Sequence, residues 1–372
     1  MNRILHTADW QIGRQYARFE PEDAAALSEA RFRTVERIAA LAQSGCYDAV
    51  LVAGDVFDAQ TVSERTLRRL FNALQGFDGD WVLLPGNHDA ALVESVWTQA
   101  QRLGLPGPRT HLALRPEVIL LDASRLAILP APLTQRQTYE DLTTWFDQAG
   151  TPTGWRRVGL AHGSVQGILQ DDIDAPNPIA PDRAARARLD YLALGDWHGQ
   201  RCIDAHTWYS GTPEPDRFKD NGAGHVLSVA WDDGASATAS VAPTVEPLFV
   251  AHHVWQQWHD TLAVPDDLDR LVARLESAPA QAVLDLTLEG RTDLAGQHRL
   301  QEALARAQAL LRSLSVQQDG LKLYPGEQEL AALSASGYVG EVIAELQARQ
   351  ESDDSGTSRE ALAILAQWLE EA

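Results

Sequence analysis

Five short segments carry the side chains of this sequence best able to hold divalent cations. They are Asp9-Trp10-Gln11, Gly54-Asp55-Val56-Phe57-Asp58, Gly86-Asn87-His88-Asp89, Ala161-His162-Gly163 and Gly195-Asp196-Trp197-His198. Carboxylates, amide oxygens and imidazoles together suit Mn2+ and admit Mg2+ or Fe. Gathered in one crevice, they would form a two-metal hydrolytic site, which clamps the attacking and leaving oxygens at a phosphorus centre. Each segment alone has a plainer reading. Gly-Asp pairs are ordinary turn chemistry, and an isolated Asn-His-Asp is an exposed loop. Their joint occurrence carries the metal reading. His6, His111, His206, His225, His252, His253, His259 and His298 stand outside these segments and are assigned structural or surface roles.

Most of the segments follow an apolar run with strand character: Arg3–Ala8, Ala49–Ala53, Trp81–Leu84, Arg157–Ala161 and Tyr191–Leu194. In layered α/β folds the loops at the carboxyl ends of strands converge on one crevice, which is what such a site needs. Helical periodicity runs between Pro21 and Gly45, with the glycine as C-cap, and again over Ser63–Leu74 and Thr138–Gln148. A hairpin is expected at Val118–Leu121 and Leu126–Leu129, with Pro130 ending its second strand. Another is expected from Val226–Trp231 through Asp232-Asp233-Gly234 to Val241. The pattern predicts an α/β fold, a layered β-sandwich flanked by helices, over residues 1–245. A boundary near Pro243–Pro247 would separate it from a smaller α/β domain at 246–350. That domain is read as a helix Pro265–Ser277, a strand Ala282–Leu288, a helix Asp293–Leu311, an extended stretch Ser313–Leu323 and a helix Gly340–Arg349. Residues 351–372 read as a flexible Ser- and Asp-rich linker followed by a terminal helix, Arg359–Glu370.

The order Asp-x-Gln, Gly-Asp-x-x-Asp, Gly-Asn-His-Asp, Ala-His-Gly, Gly-Asp-x-His resembles the calcineurin-like metallophosphoesterase family. Within that family, His6-Thr7-Ala8-Asp9-Trp10-Gln11-Ile12-Gly13, Tyr191-Leu192-Ala193-Leu194-Gly195-Asp196-Trp197-His198-Gly199 and Tyr209-Ser210-Gly211-Thr212-Pro213-Glu214 are similar to segments of the SbcD-type DNA repair exonucleases. The likeness covers roughly residues 1–245; beyond them it is architectural, in the position of the family's capping domain. It implies a DNA exonuclease with two divalent ions, Mn2+ foremost, bridged by Asp55. One ion would be completed by Asp9, Gln11 and His198, the other by Asn87, His162 and Asp196. His88 would face the phosphate, and Asp58 and Asp89 would accept hydrogen bonds that fix imidazole orientation. The resemblance also implies a homodimer acting on DNA with an SbcC-type coiled-coil ATPase, for which the terminal helix is a candidate docking element. Gln11 and Asp196 depart from the family pattern, in which histidine commonly stands at both positions. A phosphatase or cyclic-nucleotide phosphodiesterase would use the same chemistry, and a catalytically weak scaffold for an ATPase would explain the two departures.

With 372 residues, two domains are the default. No apolar stretch approaches the roughly 20 residues of a membrane span. Met1–His6 enters a strand with no signal-peptide pattern, and a cytoplasmic protein is expected. Cys46 and Cys202 have no paired spacing and are read as small buried residues. The formal charge is −21, and Lys219 and Lys322 are the only lysines. Such a chain should bind DNA weakly unaided, because counterion release needs a basic surface. Arg14, Arg18, Arg217 and Lys219 are open between phosphate contact and solvated charge. Trp10 and Trp197 are read as crevice wall, with base stacking as the alternative.

Overall fold

The computed structural model of the protein describes residues 2–168, 176–232, 242–324, 338–349 and 355–371. The chain divides into two units, Met1–Asp216 with Asp220–His253, and Arg217–Lys219 with Val254–Ala372. In chain order the first unit contains β1 (Asn2–Thr7), α1 (Pro21–Ser44), β2 (Ala49–Val52), α2 (Glu64–Leu74), β3 (Asp80–Leu83), α3 (Val96–Arg102), β4 (Thr110–Leu112), β5 (Ile119–Leu121) and β6 (Leu126–Ala131). A 3-10 helix (Leu142–Asp147) follows, then β7 (Arg156–His162), β8 (Ser164–Val165), β9 (Pro178–Ile179), α4 (Arg183–Arg186), β10 (Tyr191–Gly195), β11 (Arg201–Cys202), β12 (Thr207–Tyr209), β13 (His225–Trp231) and β14 (Thr244–Phe249).

These strands make two six-stranded sheets, ordered β14-β13-β1-β2-β3-β4 and β11-β12-β10-β7-β6-β5. Ile4, Leu51 and Val82 of the first sheet pack against Ile128, Val158, Leu160 and Tyr191 of the second, all of them fully buried. On its other face the first sheet packs on Val35 and Ile38 of α1, Leu67 and Leu70 of α2 and Trp97 of α3. The second sheet is covered by Phe146 of the 3-10 helix and Ala184 of α4. Central strands are therefore buried on both faces, which explains why β2 and β10 are unbroken apolar runs. Each fully buried Leu or Ile contributes about 1.5–3 kcal/mol. β1, β2, β3 and β4 are mutually parallel and joined by α1, α2 and α3, so their carboxyl ends emerge on one edge. β6, β7 and β10 are parallel in the second sheet. The sandwich with flanking helices is as the sequence predicts.

Several local expectations change. The helix over Thr138–Gln148 shrinks to the 3-10 turn Leu142–Asp147. Thr138 is tied to Asn177 instead, through Thr138 N–H to Asn177 Oδ1 at 2.9 Å and Asn177 N–H to Thr138 O at 2.7 Å. Pro130 does not end its strand: β6 continues to Ala131. The proline is tolerated because β5 reaches only as far as the Ile119↔Ile128 pair, so no β5 carbonyl waits for its missing N–H. The Asp232-Asp233-Gly234 turn and the strand to Val241 lie largely outside the described residues, and the antiparallel partner of β13 is β14. β14 runs past residue 245, so the expected boundary falls inside a strand and the first unit continues to His253. Cys46 and Cys202 are exposed rather than buried, and neither is in a disulfide. Gly45 caps α1 with an ordinary helical φ of −81°, and the left-handed conformation falls on Cys46 at +52°.

The second unit is a parallel sheet of β15 (Val254–Leu262), β16 (Ala282–Thr292) and β17 (Ser313–Leu323), in that order. α5 (Pro265–Ser277) and α6 (Leu294–Leu310) connect the strands and pack through Leu268, Leu271, Leu275, Leu300 and Ala303. The helices Tyr338–Arg349 and Ser355–Glu371 follow and meet at Ile343 and Leu362. Residues 351–354 of the expected linker lie outside the described residues.

Candidate metal centre

Three loops of the first sheet and two of the second bring the sequence segments together. Asp9 follows β1, Asp55 and Asp58 follow β2, Asn87, His88 and Asp89 follow β3, His162 ends β7, and Asp196 and His198 follow β10. The strand-end loops are tied together at this edge. Asp9 N–H donates to Gly54 O at 3.0 Å, Gln11 N–H to Asp55 O at 2.9 Å, and Asp196 N–H reaches the Asp9 carboxylate at 3.2 Å. Backbone strain concentrates here. Among the described residues eight non-glycine positions have positive φ, and Asp9 (55°), Gln11 (46°), Asp55 (53°) and Asp196 (97°) are four of them. Such conformations cost about 1 kcal/mol or more each and persist where the surroundings over-determine them, typically at functional sites.

Two glycines make room. Gly54 has φ of +92°, and a Cβ there would lie 2.1 Å from His162 Nδ1. Gly86 needs no special dihedral, but a Cβ would fall 2.2 Å from Asp55 Oδ1 and 2.4 Å from Asp55 N. Asp55 can face the crevice only because Gly86 has no side chain.

Asp9, Asp55 and His162 are buried, and their donor atoms all lie within 4.8 Å of one another. His162 Nε2 is 3.5 Å from Asp55 Oδ1, 3.6 Å from Asp196 Oδ1 and 3.2 Å from Asn87 Oδ1. Its other nitrogen, Nδ1, donates to Ala53 O at 2.8 Å, which fixes the ring and turns Nε2 to the cluster. The donor set fits divalent cations. Three carboxylates crowd one buried imidazole, and without an ion the electrostatics are unfavourable. Burial pushes Asp9 up to about 6 against the pull of His198 and His162, and burial raises Asp196 as well. Burial alone would lower His162, but Asp55, Asp196 and Asp9 outweigh it and lift the ring to about 9. Cations would relieve this repulsion.

His88 Nδ1 lies 2.9 Å from Asp58 O, a carbonyl that can only accept, so Nδ1 carries a proton. Nε2 is then the nitrogen left to exchange one, 4.0 Å from Asp55 Oδ2. The Asp58 carboxylate is farther from the ring, at 3.9 Å, and receives Arg14 at 3.3 Å. Asp89 orients no imidazole. Its carboxylate accepts from Gly86 N–H at 2.6 Å and Phe57 N–H at 3.1 Å, binding the β3 loop to the β2 loop. Burial, and then Asp55, push Asp89 up to about 8.

Gln11 and His198 lie beside this cluster. Gln11 Oε1, the atom expected to face a metal, receives Arg14 Nη1 at 2.5 Å. Its Nε2 lies 3.3 Å from His198 Nε2. Asp216, absent from the sequence reading, lies 3.3 Å from His198 Nδ1. Trp10 is a wall residue, buried edge-on against Trp81 with its indole N–H on Thr7.

Other supports were missed as well. Thr212 Oγ1 donates to Asp9 O at 2.8 Å. Buried Glu214 accepts from Thr34 Oγ1 at 2.6 Å and from the backbone N–H groups of His252 and His253 at 2.8 and 3.0 Å. Buried Arg31 on α1 donates to Trp10 O at 2.6 Å and Tyr16 Oη at 2.8 Å. Thr212 and Glu214 stand in the Tyr209–Glu214 segment that carries the family likeness, and Arg31 and Thr34 are polar residues on the stripe that Leu27, Val35 and Ile38 make apolar.

The calcineurin-like phosphoesterase family matches residues 2–228, which hold every ligand candidate. The chain belongs to that family. Among curated relatives it is similar to the DNA double-strand break repair protein Mre11 of Aeropyrum pernix, 30% identical over 226 residues that are 56% of this chain and 52% of that one. The chain thus spans about half the length of that relative. It is also similar to the D component of nuclease SbcCD from Rhodobacter capsulatus, 38% identical over 283 residues, covering 63% of this chain and 67% of the relative. The D component of nuclease SbcCD from Escherichia coli K12 is 27% identical over 362 residues, covering 85% and 83%. Among the described residues of this phosphoesterase no helix is long and apolar enough to cross a membrane.

Proposed function

We propose that this chain is a divalent-metal-dependent nuclease that hydrolyses phosphodiester bonds of DNA in repair. The observation that carries the reading is the meeting of Asp9, Asp55 and His162 donors, all buried, within 4.8 Å at the ends of strands from both sheets. Relatives named for nuclease activity and double-strand break repair support the choice of DNA over small phosphoesters. Asp55 would be shared by two ions, one held by Asn87, His162 and Asp196 and the other by Asp9 and His198. Gln11 belongs to this second group only if its amide oxygen leaves Arg14. Bound there, divalent ions, Mn2+ foremost and Mg2+ or Fe as alternatives, supply Lewis acidity and acidify the attacking water. His88 holds the proton-exchanging Nε2 at the open edge of the site, where a leaving oxygen would take a proton. Asp89 and Gly86 keep the Asp55 loop in place.

The working assembly is a homodimer with a coiled-coil ATPase of the SbcC type. The exposed Ile364 and Trp368 of the terminal helix, one turn apart, are the docking residues. Two exposed free thiols are compatible with a reducing cytoplasm. The test is release of nucleotides from linear DNA in Mn2+, abolished by Asp55→Ala. Turnover confined to small phosphoesters would move the assignment to a phosphatase or cyclic-nucleotide phosphodiesterase.

A further inference from the structure

Four side chains beside the cluster close a ring of hydrogen bonds that uses the atoms a second cation would need. Arg14 Nη1 donates to Gln11 Oε1 at 2.5 Å, and Arg14 Nη2 lies 3.1 Å from Asp216 Oδ2. Gln11 Nε2 is 3.3 Å from His198 Nε2, and His198 Nδ1 is 3.3 Å from the same Asp216 oxygen. The directions follow from the groups themselves. A guanidinium has only donors, so the amide oxygen of Gln11 must face Arg14, and its NH2 must face the imidazole. An amide NH2 only donates, so His198 Nε2 accepts and the ring proton sits on Nδ1, aimed at Asp216. Asp216, its side chain 1% exposed, accepts from both neighbours and completes the circuit. Asp58 anchors Arg14 from outside at 3.3 Å.

Two consequences bear on metal binding. The Gln11 amide oxygen and the His198 Nε2 lone pair are both occupied within the ring. Arg14 also sets a fixed positive charge beside them, which repels a cation. His162 is differently placed: its Nδ1 is tied to the backbone at Ala53, which leaves Nε2 facing Asp55, Asn87 and Asp196.

We propose that the Arg14–Gln11–His198–Asp216 ring is a latch on one of the two cation positions. One divalent ion binds tightly where Asn87, His162 and Asp196 face Asp55, and a second, on the Asp9 and His198 side, enters only when the Gln11–His198 bond opens. Gln11 is then a positioning residue and no metal ligand. The inference rests on the two-ion reading above.

The test is calorimetric titration of the full chain with Mn2+, with no substrate present. The expected isotherm has a tight first step and a second at least about tenfold weaker. Gln11→Ala and Arg14→Met should each tighten the second step about fivefold, the equilibrium worth of one ordinary hydrogen bond, and leave the first unchanged. A ligating Gln11 gives the opposite sign, because Gln11→Ala would then weaken the second step. That result, two equal steps in the unmodified chain, or a second step that no variant strengthens overturns the latch. Absence of any Mn2+ uptake would instead overturn the metal site itself, so the two failures are distinct. Thermal melting checks that Gln11→Ala folds; Arg14→Met, at a half-buried position, makes the same measurement if it does not.

Discussion

His162 illustrates how a single residue ties protonation to ion uptake. Burial disfavours its charged form, but three carboxylates, Asp55, Asp196 and Asp9, hold the ion-free ring protonated up to about 9. A ligand imidazole must be neutral, so binding an ion near neutral pH has to eject that proton. Affinity should therefore climb with pH until about 9, and Asp9, raised to about 6 by burial, adds to the dependence only in acid. Mn2+ titrated at about pH 7 in buffers of different ionisation enthalpy should report about one proton released per first ion. Heats that do not change with the buffer would contradict this. At this scale Asp9, Asp55, Asn87, His162 and Asp196 were legible, because each stands in a short pattern at a strand end and all of them converge. Gln11 was legible as a departure but not as a partner of Arg14. Asp216 was not legible at all, since its partners Arg14 and His198 lie far from it in sequence and nothing local marks it.

Among the elements, β1 carries an imidazole between the two sheets. His6 Nδ1 meets Tyr191 Oη at 2.9 Å, and Nε2 lies 3.1 Å from Leu194 O, so the strand is pinned to β10 as well as to its own sheet. Burial drives the His6 pKa down from 6.5 to about 3. The folded state thus keeps His6 neutral where the unfolded chain would take a proton. This contribution is complete above 6.5 and is lost progressively as pH falls towards 3. Urea unfolding across that range should show stability falling with acid, with a shallower slope in His6→Asn; equal slopes would exclude His6 as the cause. Most elements were readable from periodicity, among them α2, expected over Ser63–Leu74 and found at Glu64–Leu74. The failures share one cause, tertiary bonding that overrides local preference. Thr138 is held by Asn177, and Pro130 is accepted where β5 has already stopped. The burial expected of the two cysteines failed for a simpler reason, because residue type alone does not place a side chain.

The whole molecule is acidic, with a net charge of −21, and its substrate under the proposed function is a polyanion. Alone, at physiological salt, it should bind a DNA duplex more weakly than about 10 µM. Fluorescence anisotropy yielding sub-micromolar affinity for the isolated chain would show that a local arginine surface suffices. β14 prolongs the first sheet beyond the composition change at Pro243, and the first unit continues to His253. That same sheet sets the timetable of biosynthesis. β1 pairs with β2 early, but its antiparallel neighbour on the other side is β13, and Asn2 waits for Trp231. At about 5–20 residues per second, one edge of the first strand stays unpaired on the ribosome for roughly ten to forty-five seconds. Chains stalled before Trp231 therefore present an open apolar strand to their neighbours, and nascent copies of this protein should be clients of ribosome-associated holdases.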